Sequence, residues 1–581
     1  MIANLDLRQA ILDVHRHLGA GLCIEAETAC REILSAHPHQ FETLVNYSVT
    51  LLQLGRFDEA LLAADGAIAI RPDVAEAHNA RANALFRRGH FDLALAAYDR
   101  AIDLRPDKAS FHSNRASALQ AVSRLDDAIA ACDRALLLQP GLEPAEANRL
   151  FAMLFHPAYG PDEILREQRL WAERLTKTFP PDPRPHLNDR SPDRRLRVGY
   201  VSPDLRDHCL GHLMLPIVRE HDRDAVEVFC YSDAAAADTI TQQFRAASAQ
   251  WRETFCLSHA ALAEQIRLDR IDVLVDLTLH MAGSRLPIFA LKPAPVQVTY
   301  GGYPGGTGLH AMDYRLTDPY LDPPGETDGA YLERSVRLPD SFWVYSPPRF
   351  SRAAWLRRAQ SSRGPLIPPT SDPETAELPA DQTGYVTFGC LNNFCKVNAP
   401  VLRLWSRVMR AVPRSRLLLL APPGDARHGT LRSLEDHGIA PDRIEFTSHQ
   451  PRKTYLRTYD RIDIALDTFP YNGHVTSLDA FWMGVPVVTL VGRRAVGRAG
   501  WSLLCNLGLT ELAAGDEDQF ISIASLLAND RSRLRDLRRG LRARMRRSPL
   551  MDARGFTRNL EAAYRHAWRR WCGPARWPAP K

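Results

Sequence analysis

The segment Asp467-Thr-Phe-Pro-Tyr-Asn-Gly-His-Val-Thr-Ser-Leu-Asp479 follows an apolar run, Ile462 to Leu466, that reads as a buried strand. Gly473 permits a tight turn, and Thr476-Ser477 stand where a helix begins. Strand, turn and helix in this order form the unit of a parallel α/β sheet. The same stretch predicts a site for a phosphorylated ligand, because hydroxyls and backbone N–H groups at a helix N-terminus favour anions. Asp479 lies one turn further in, where a ribose hydroxyl reaches it. A plain N-capped helix would use the same residue types, so the stretch alone leaves both readings open.

Working outward, Tyr385 to Leu391, Arg416 to Leu420, Arg443 to Phe446 and Pro486 to Leu490 are further strand candidates of this C-terminal series. Upstream, Pro347 to Thr383 holds seven prolines and little periodicity, and reads as a linker or partly disordered insertion. Before it comes a second alternating series: Leu196 to Ser202, Val226 to Tyr231, Ile271 to Leu277 and Val296 to Tyr300 as strands, with helical stretches such as Ala260 to Leu268 between them. Two doubly wound domains in tandem place a cleft between them, with ligands at the carboxyl ends of strands.

The first third repeats with a period of 34 residues. Phe41, Ala75 and Ala109 each start a unit, which places Ala60, Ala94 and Ala128 at one position and Ala67, Ala101 and Ala135 at another. Pro72, Pro106 and Pro140 close the units, and Gly55 and Gly89 mark the turn inside them, with Ser123 in the third. A more divergent unit spans Leu7 to Gln40, with Gly21, Ala26 and Pro38 in register. This pattern resembles the tetratricopeptide repeat: small alanines let two antiparallel helices approach closely, and the proline ends the second. Position six of successive units carries Asn46, Ala80, Asn114 and Asn148, so asparagine amides on a concave face would hold the backbone of an extended peptide; plain solubility explains them equally well.

A chain of 581 residues is too long for one core. Its +5 charge, from 73 basic and 68 acidic residues, is too balanced for a general nucleic-acid surface. The basic run Arg531 to Arg547 would suit nucleic acid or an anionic membrane, but its Leu534, Leu537, Leu541 and Met545 at helical spacing favour an amphipathic surface helix. Ten scattered cysteines without C-x-x-C pairs suit a reducing compartment. With no leader-like N-terminus and no spanning apolar run, the expectation is a cytoplasmic protein without a membrane span. D-x-D occurs only as Asp222-Arg-Asp224 and Asp516-Glu-Asp518, in settings that suit turns or helix starts, so no metal site is expected.

Beside the repeats, Arg197-Val-Gly-Tyr-Val-Ser-Pro-Asp204, His208, His212-Leu-Met214, Arg285, Pro293-Ala-Pro-Val-Gln297, Gly302-Tyr-Pro-Gly305, Lys396 and Asn472-Gly-His-Val-Thr476 resemble the O-GlcNAc transferase and SPINDLY family over nearly the whole chain. The resemblance implies an α-solenoid followed by an α/β GT-B fold of two Rossmann-like domains. It implies the chemistry of an inverting, metal-independent glycosyltransferase acting on serine or threonine of proteins. The expected organisation is a repeat superhelix over 1–155, a helical and proline-rich connector over 156–195, a first catalytic domain over 196–346, the linker over 347–383, a nucleotide-sugar-binding domain over 384–550, and a C-terminal helix and tail over 551–581.

Residue by residue, Lys396 matches the lysine that neutralises the diphosphate leaving group, where charge builds as the anomeric C–O bond breaks. Asn393, in the same motif, is grouped with the nucleotide-sugar residues. His474, Thr476 and Asp479 match diphosphate, sugar and ribose contacts, and Val475 replaces a common hydroxyl residue while keeping its backbone N–H. Arg452 stands where a nucleotide-contacting lysine is common, and Gln450 lies near the base-binding segment. Gly302 and Pro304 match a loop that lets backbone approach sugar and acceptor. His208 matches a histidine proposed as general base or acceptor-positioning residue, with the donor's own phosphate as a competing proton acceptor. His280 matches another active-site histidine, here flanked by Leu279 and Met281 instead of the usual Gly and Thr.

The leading expectation is transfer from UDP-GlcNAc, as substrate and without a cofactor, to protein acceptors threading from the repeat groove. GDP-fucose, an asparagine-directed hexosyl transfer, and a non-catalytic repeat scaffold with a degenerate transferase domain are the alternatives. A homodimer is compatible with such arrays but not selected by the sequence.

Overall fold

The computed structural model describes residues 2–347 and 377–573. The repeat module consists of paired helices Ile2–Gly19 and Cys23–Ala36, Phe41–Gln53 and Phe57–Ile70, Ala75–Arg87 and Phe91–Leu104, Ala109–Ala121 and Leu125–Leu138, followed by Glu143–Phe155. The periodic alanines explain the pairing: Ala60, Ala67, Ala94, Ala101, Ala128 and Ala135 are all buried where helices cross. Each second helix stops for a local reason. Arg71, Arg105 and Gln139 precede the periodic prolines and leave the helical region, with φ near −140° and ψ of 80° to 91°, because the proline ring disfavours α geometry in the residue before it. Inside the units the turn needs left-handed backbone, and Gly55 (φ 76°) and Gly89 (φ 77°) supply it. Ser123 adopts the same geometry at φ 62°, which costs a side-chain-bearing residue roughly 1–2 kcal/mol.

The first α/β domain is one parallel sheet of seven strands: β1 (Leu196–Ser202), β2 (Val226–Ser232), β3 (Gln250–Glu253), β4 (Val273–Asp276), β5 (Val296–Thr299), β6 (Tyr314–Thr317) and β7 (Arg334–Arg337), in the order β3-β2-β1-β4-β5-β6-β7. The second has β8 (Thr387–Cys390), β9 (Arg416–Leu420), β10 (Ile444–Thr447), β11 (Ile464–Leu466), β12 (Val487–Leu490) and β13 (Ala513–Ala514), in the order β10-β9-β8-β11-β12-β13. In each sheet the chain builds outward from one strand and then returns to its other side, so direction reverses between β1 and β4 and between β8 and β11. Loops leaving the carboxyl ends of those strands are splayed apart there, and a crevice opens.

Four strands escape a reading of the sequence. β3 and β7 are edge strands with mostly exposed or half-buried residues, and β13 has two residues. β6 is fully buried yet carries Arg315, whose guanidinium pairs with Asp322 at 2.8 Å and lies over the Tyr331 ring at 3.5 Å.

Most of the expected 347–383 linker lies outside the described residues, but its last part belongs to the second domain. Pro379–Thr383 is a short helix with Leu378 and Ala380 buried, and Ala380 N–H donates to Asp463 at 2.9 Å. The basic run is one helix, Arg531–Arg547, that buries Leu534, Leu537, Leu541 and Met545. Even its Arg538 is buried and donates to the Ile462 carbonyl at 2.7 Å. The terminal helix Ala553–Cys572 crosses back to the first domain, where Glu561 meets His221 at 2.7 Å, and Arg565 donates to the connector carbonyls of Pro192 and Arg194 at 2.8 and 2.7 Å. Among the described residues, no helix is long and apolar enough to cross a membrane.

The solenoid lies against both domains. Cys256 Sγ donates to the Gly21 carbonyl (3.0 Å), Asp425 N–H to Asp92 (2.8 Å), Ser123 Oγ to the Val397 carbonyl (2.8 Å) and Arg494 to the Met153 carbonyl (3.3 Å). Ala101 sits fully buried between Ala75 and Phe111. Ala101→Leu should therefore overpack the repeat and cost about 1–3 kcal/mol, seen in calorimetry as an earlier melting transition; an unchanged melt would contradict this close helix pairing.

Candidate functional site

The crevice of the second domain is shaped by one buried carboxylate. Asp467, at the end of β11, accepts the N–H groups of Thr468 (2.9 Å) and Gly473 (2.6 Å) and the Thr489 hydroxyl (2.8 Å). Burial pushes its carboxyl up, and these bonds oppose that shift. Asn392, just past β8, donates to Thr468 Oγ1 at 2.9 Å and accepts the Thr476 hydroxyl. Gly473 is required on steric grounds: an added Cβ would stand 2.5–2.8 Å from Ser477 Oγ, Asn392 Oδ1 and Thr476 Oγ1.

This bracing presents the helix Val475–Trp482, with His474 at its N-cap and no side-chain cap among the described residues. His474 is 8% exposed, stacked on Tyr471 at 4.8 Å and set against Trp343 at 5.0 Å. Burial, followed by the Lys396 charge, holds its pKa well below the usual value, so the ring is neutral. Its Nε2 is buried without a hydrogen-bond partner among the described residues.

Lys396 lies in the short turn Phe394–Lys396 after β8. Its Nζ donates to the Asn472 carbonyl at 2.7 Å and sits 4.1 Å from the Tyr471 ring centre. Burial brings its pKa down to about 8 against the opposing pull of Cys395 and Asp467. Among the described residues no carboxylate pairs with it. An ammonium, a buried imidazole nitrogen and an uncapped helix N-terminus thus meet at the β8/β11 reversal, an arrangement that binds an anion.

The first domain faces this cluster with the loops after β1 and β4. His208 is the N-cap of the helix Cys209–Glu220; its Nδ1 accepts Leu210 N–H at 3.3 Å and lies 3.5 Å from Asp204. Burial disfavours the imidazolium, but Cys209, 3.7 Å from Nε2, and the Asp204 carboxylate outweigh burial and raise the pKa. Across the cleft, Arg498 donates to the Tyr320 carbonyl at 2.8 Å and Ser502 Oγ to Asp318 at 2.6 Å, which fastens the two domains to each other.

The other candidate residues surround this cluster. Asp479 is fully buried rather than open to a ribose: Arg452 grips it with two guanidinium nitrogens, one at 2.5 Å, and Tyr345 donates to it at 2.8 Å. Arg452, the expected nucleotide contact, forms that pair. His280 is 2% exposed behind the Gly301–Gly308 loop, donating Nε2–H to the Thr307 carbonyl at 3.0 Å, edge-on to Trp171. Burial lowers its pKa to about 4, and it shapes the loop instead of facing the cleft. Gly302 is needed by the loop itself, since a Cβ would meet Met281 at 2.9 Å and the Leu277 and Thr278 carbonyls at 3.1 Å. Pro304 is buried and Val475 half-buried at the first helical position, while Asn393 is exposed before the Lys396 turn. Gln450 donates to Thr447 at 2.7 Å, and its buried Oε1 has no partner among the described residues.

In the repeats, Asn46 meets His15 at 2.9 Å, Asn114 donates to Asn79 at 3.0 Å, and Asn148 donates to Ser117 at 3.0 Å. The amides lace successive units together, with Asn79 in place of the expected Ala80 position. The last repeat helix also enters the site: Phe155 stacks on Tyr471 at 4.8 Å, and Phe151 lies 5.9 Å from Tyr303 of the glycine loop. Sequence reasoning missed Phe151, Phe155, Trp343, Tyr345 and the bracing by Asn392 and Asp467. The aromatic-dense Phe342-Trp-Val-Tyr345 before the proline-rich stretch was the available signal. Asp222 caps the backbone of Asp224, and Asp516 caps the helix Glu517–Asn529. Among the described residues, no group of three or more His, Cys, Asp or Glu could hold a metal ion.

Residues 171–349 and 369–560 match the model of glycosyl transferase family 41, and residues 18–84 and 79–143 match tetratricopeptide repeats. The chain belongs to glycosyl transferase family 41. Similar family 41 relatives include a probable UDP-N-acetylglucosamine–peptide N-acetylglucosaminyltransferase, SPINDLY, of Solanum lycopersicum, 37% identical over 440 residues that cover 74% of this chain and 44% of that protein. A UDP-N-acetylglucosamine–peptide N-acetylglucosaminyltransferase of Caenorhabditis elegans is 26% identical over 476 residues, 65% of this chain and 41% of its own. The chain thus spans a little under half the length of these curated relatives. Among solved structures, a mutant O-GlcNAc transferase of Thermobaculum terrenum superposes with a TM-score of 0.83 at 36% identity, covering 92% of this chain and 98% of that one. The two parallel-sheet domains of this family 41 chain therefore form a GT-B fold behind a tetratricopeptide solenoid.

Lys396 gives a stability test of this desolvated site. With its pKa near 8 in the fold and 10.5 in an ordinary setting, the unfolded chain binds more protons between those values, so stability rises with pH across that window. Lys396→Met should melt above the wild type at pH 7, with the difference shrinking as pH approaches 10.5; a pH-independent difference would contradict a desolvated ammonium.

Proposed function

We infer that the protein transfers N-acetylglucosamine from UDP-GlcNAc to a serine or threonine hydroxyl of protein acceptors, with inversion at the anomeric carbon. The observation that carries this reading is the convergence at the β8/β11 reversal of Lys396, the His474 Nε2 and the N-terminus of Val475–Trp482, the last two without partner or side-chain cap among the described residues. A diphosphate satisfies all three at once. The names of the relatives support the uridine donor and the peptide acceptor.

In this reading the acceptor hydroxyl attacks the anomeric carbon from the side facing the first domain. The C–O electron pair leaves with the β-phosphate. Lys396 and the helix N-terminus stabilise the growing charge more than the ground state, which is where rate is gained. The hydroxyl proton goes to His208, oriented by Asp204 and the Leu210 N–H, or to a donor phosphate oxygen. The role of Lys396 and the helix dipole is to do electrostatically what a divalent cation does in metal-dependent transferases. The acceptor runs from the asparagine-lined repeat face past Phe151 and Phe155 into the cleft.

The test is calorimetric titration with UDP and with GDP, each in EDTA and in Mg²⁺, on wild type and Lys396→Ala. Metal-independent UDP binding is expected, weakened by the substitution, with sugar transfer to peptide falling by about 10²- to 10³-fold or more. A GDP preference would redirect the reading to fucosyl transfer, and binding of neither nucleotide would leave a repeat scaffold. Gly473→Ala should abolish UDP binding through its clash with Asn392 and Thr476; retained affinity would overturn the assignment of this loop to the diphosphate.

A further inference from the structure

We propose that Ser123, in the turn of the third full repeat, is a positioning residue for Lys396, making the repeat module a structural part of the donor site. The proposal rests on the donor-site reading given above. Three observations carry it. The repeat register calls for glycine at this turn, as at Gly55 and Gly89, where a Cβ would meet open space. Ser123 instead keeps a side chain in left-handed backbone, φ 62°. Its hydroxyl donates to the Val397 carbonyl at 2.8 Å, across 274 residues of chain. The unfavourable backbone thus occurs at the one of these three turns whose side chain reaches the second domain.

The bond lands on the residue after Lys396. The lysine turn is tight: Lys396 N–H donates to the Asn393 carbonyl at 3.0 Å and Val397 N–H to the Phe394 carbonyl at 2.9 Å. On its far side Asn398 donates to the Phe469 carbonyl at 2.7 Å, which ties the turn to the loop that leads into His474. Ser123 holds the near side, and the repeat helix Ala109–Ala121 packs against the turn. The direction in which the ammonium points is therefore set from two modules. Displacing the repeats would loosen Lys396 even with no acceptor present.

The test compares Ser123→Gly and Ser123→Ala in the full chain. Both lose the hydroxyl, but glycine relieves the backbone and alanine does not, so their melting temperatures should move in opposite directions. Hydrogen exchange read by mass spectrometry should show the Lys396 and Val397 amides exchanging roughly three- to tenfold faster in both variants. UDP affinity should fall by a similar factor in both. Exchange at these amides that is unchanged, or that follows the melting temperatures instead of the hydroxyl, would overturn the proposal. If wild type binds no UDP, the donor-site reading fails on its own, and the exchange comparison still decides whether Ser123 holds the turn.

Discussion

The site depends on a buried carboxylate with no cationic partner at bonding distance among the described residues. Asp467 closes the β11 end of the second sheet by accepting two backbone N–H groups, a hydroxyl and the Asn392 amide. Those bonds fix the path of residues 468–474, and that path decides where the next helix begins and which way its N-terminus points. A carboxylate suits the task because an ionised acceptor forms stronger bonds and takes several at once. Its charge also counters part of the desolvation of Lys396. One residue therefore shapes the loop and keeps the lysine closer to its charged form.

Desolvation runs through the rest of the cleft. Lys396, His474 and Asp479 all carry pKa values moved by burial first and neighbours second. An environment of this kind makes charges expensive in the resting protein and strengthens their interaction with a bound anion. The aromatic rings Trp343, Tyr471 and Phe155 maintain it by occupying space that water would otherwise fill, and they come from three different parts of the chain.

The fold was legible where the sequence is periodic or where glycine and proline punctuate it. The 34-residue register located the helices of the full units, since alanine spacing and the prolines act locally. Buried strands such as β1 and β9 announced themselves as apolar runs. β6 did not, because Arg315 hides a buried strand behind a charge whose partners, Asp322 and Tyr331, lie elsewhere in the chain. Within the site, Lys396 and His474 were found through motif and family resemblance. The occupation of Asp479 by Arg452 and Tyr345, and the withdrawal of His280 behind the glycine loop, were not legible, because they depend on side chains meeting across long stretches of chain.

The solenoid touches the α/β domains near both ends, through Gly21 at Cys256 and through Phe155 and Met153 at the domain junction, with Asp92 and Ser123 between. An arc fastened at several points has a fitted length. Inserting a unit between Gly21 and Met153 would add two helices without adding anything for them to rest on, and would lift either the outer contact or the inner one. Variation in the number of repeats is thus a poor route for this protein to change what the solenoid presents; substitution along the inner face, which leaves the arc's span alone, is the open one.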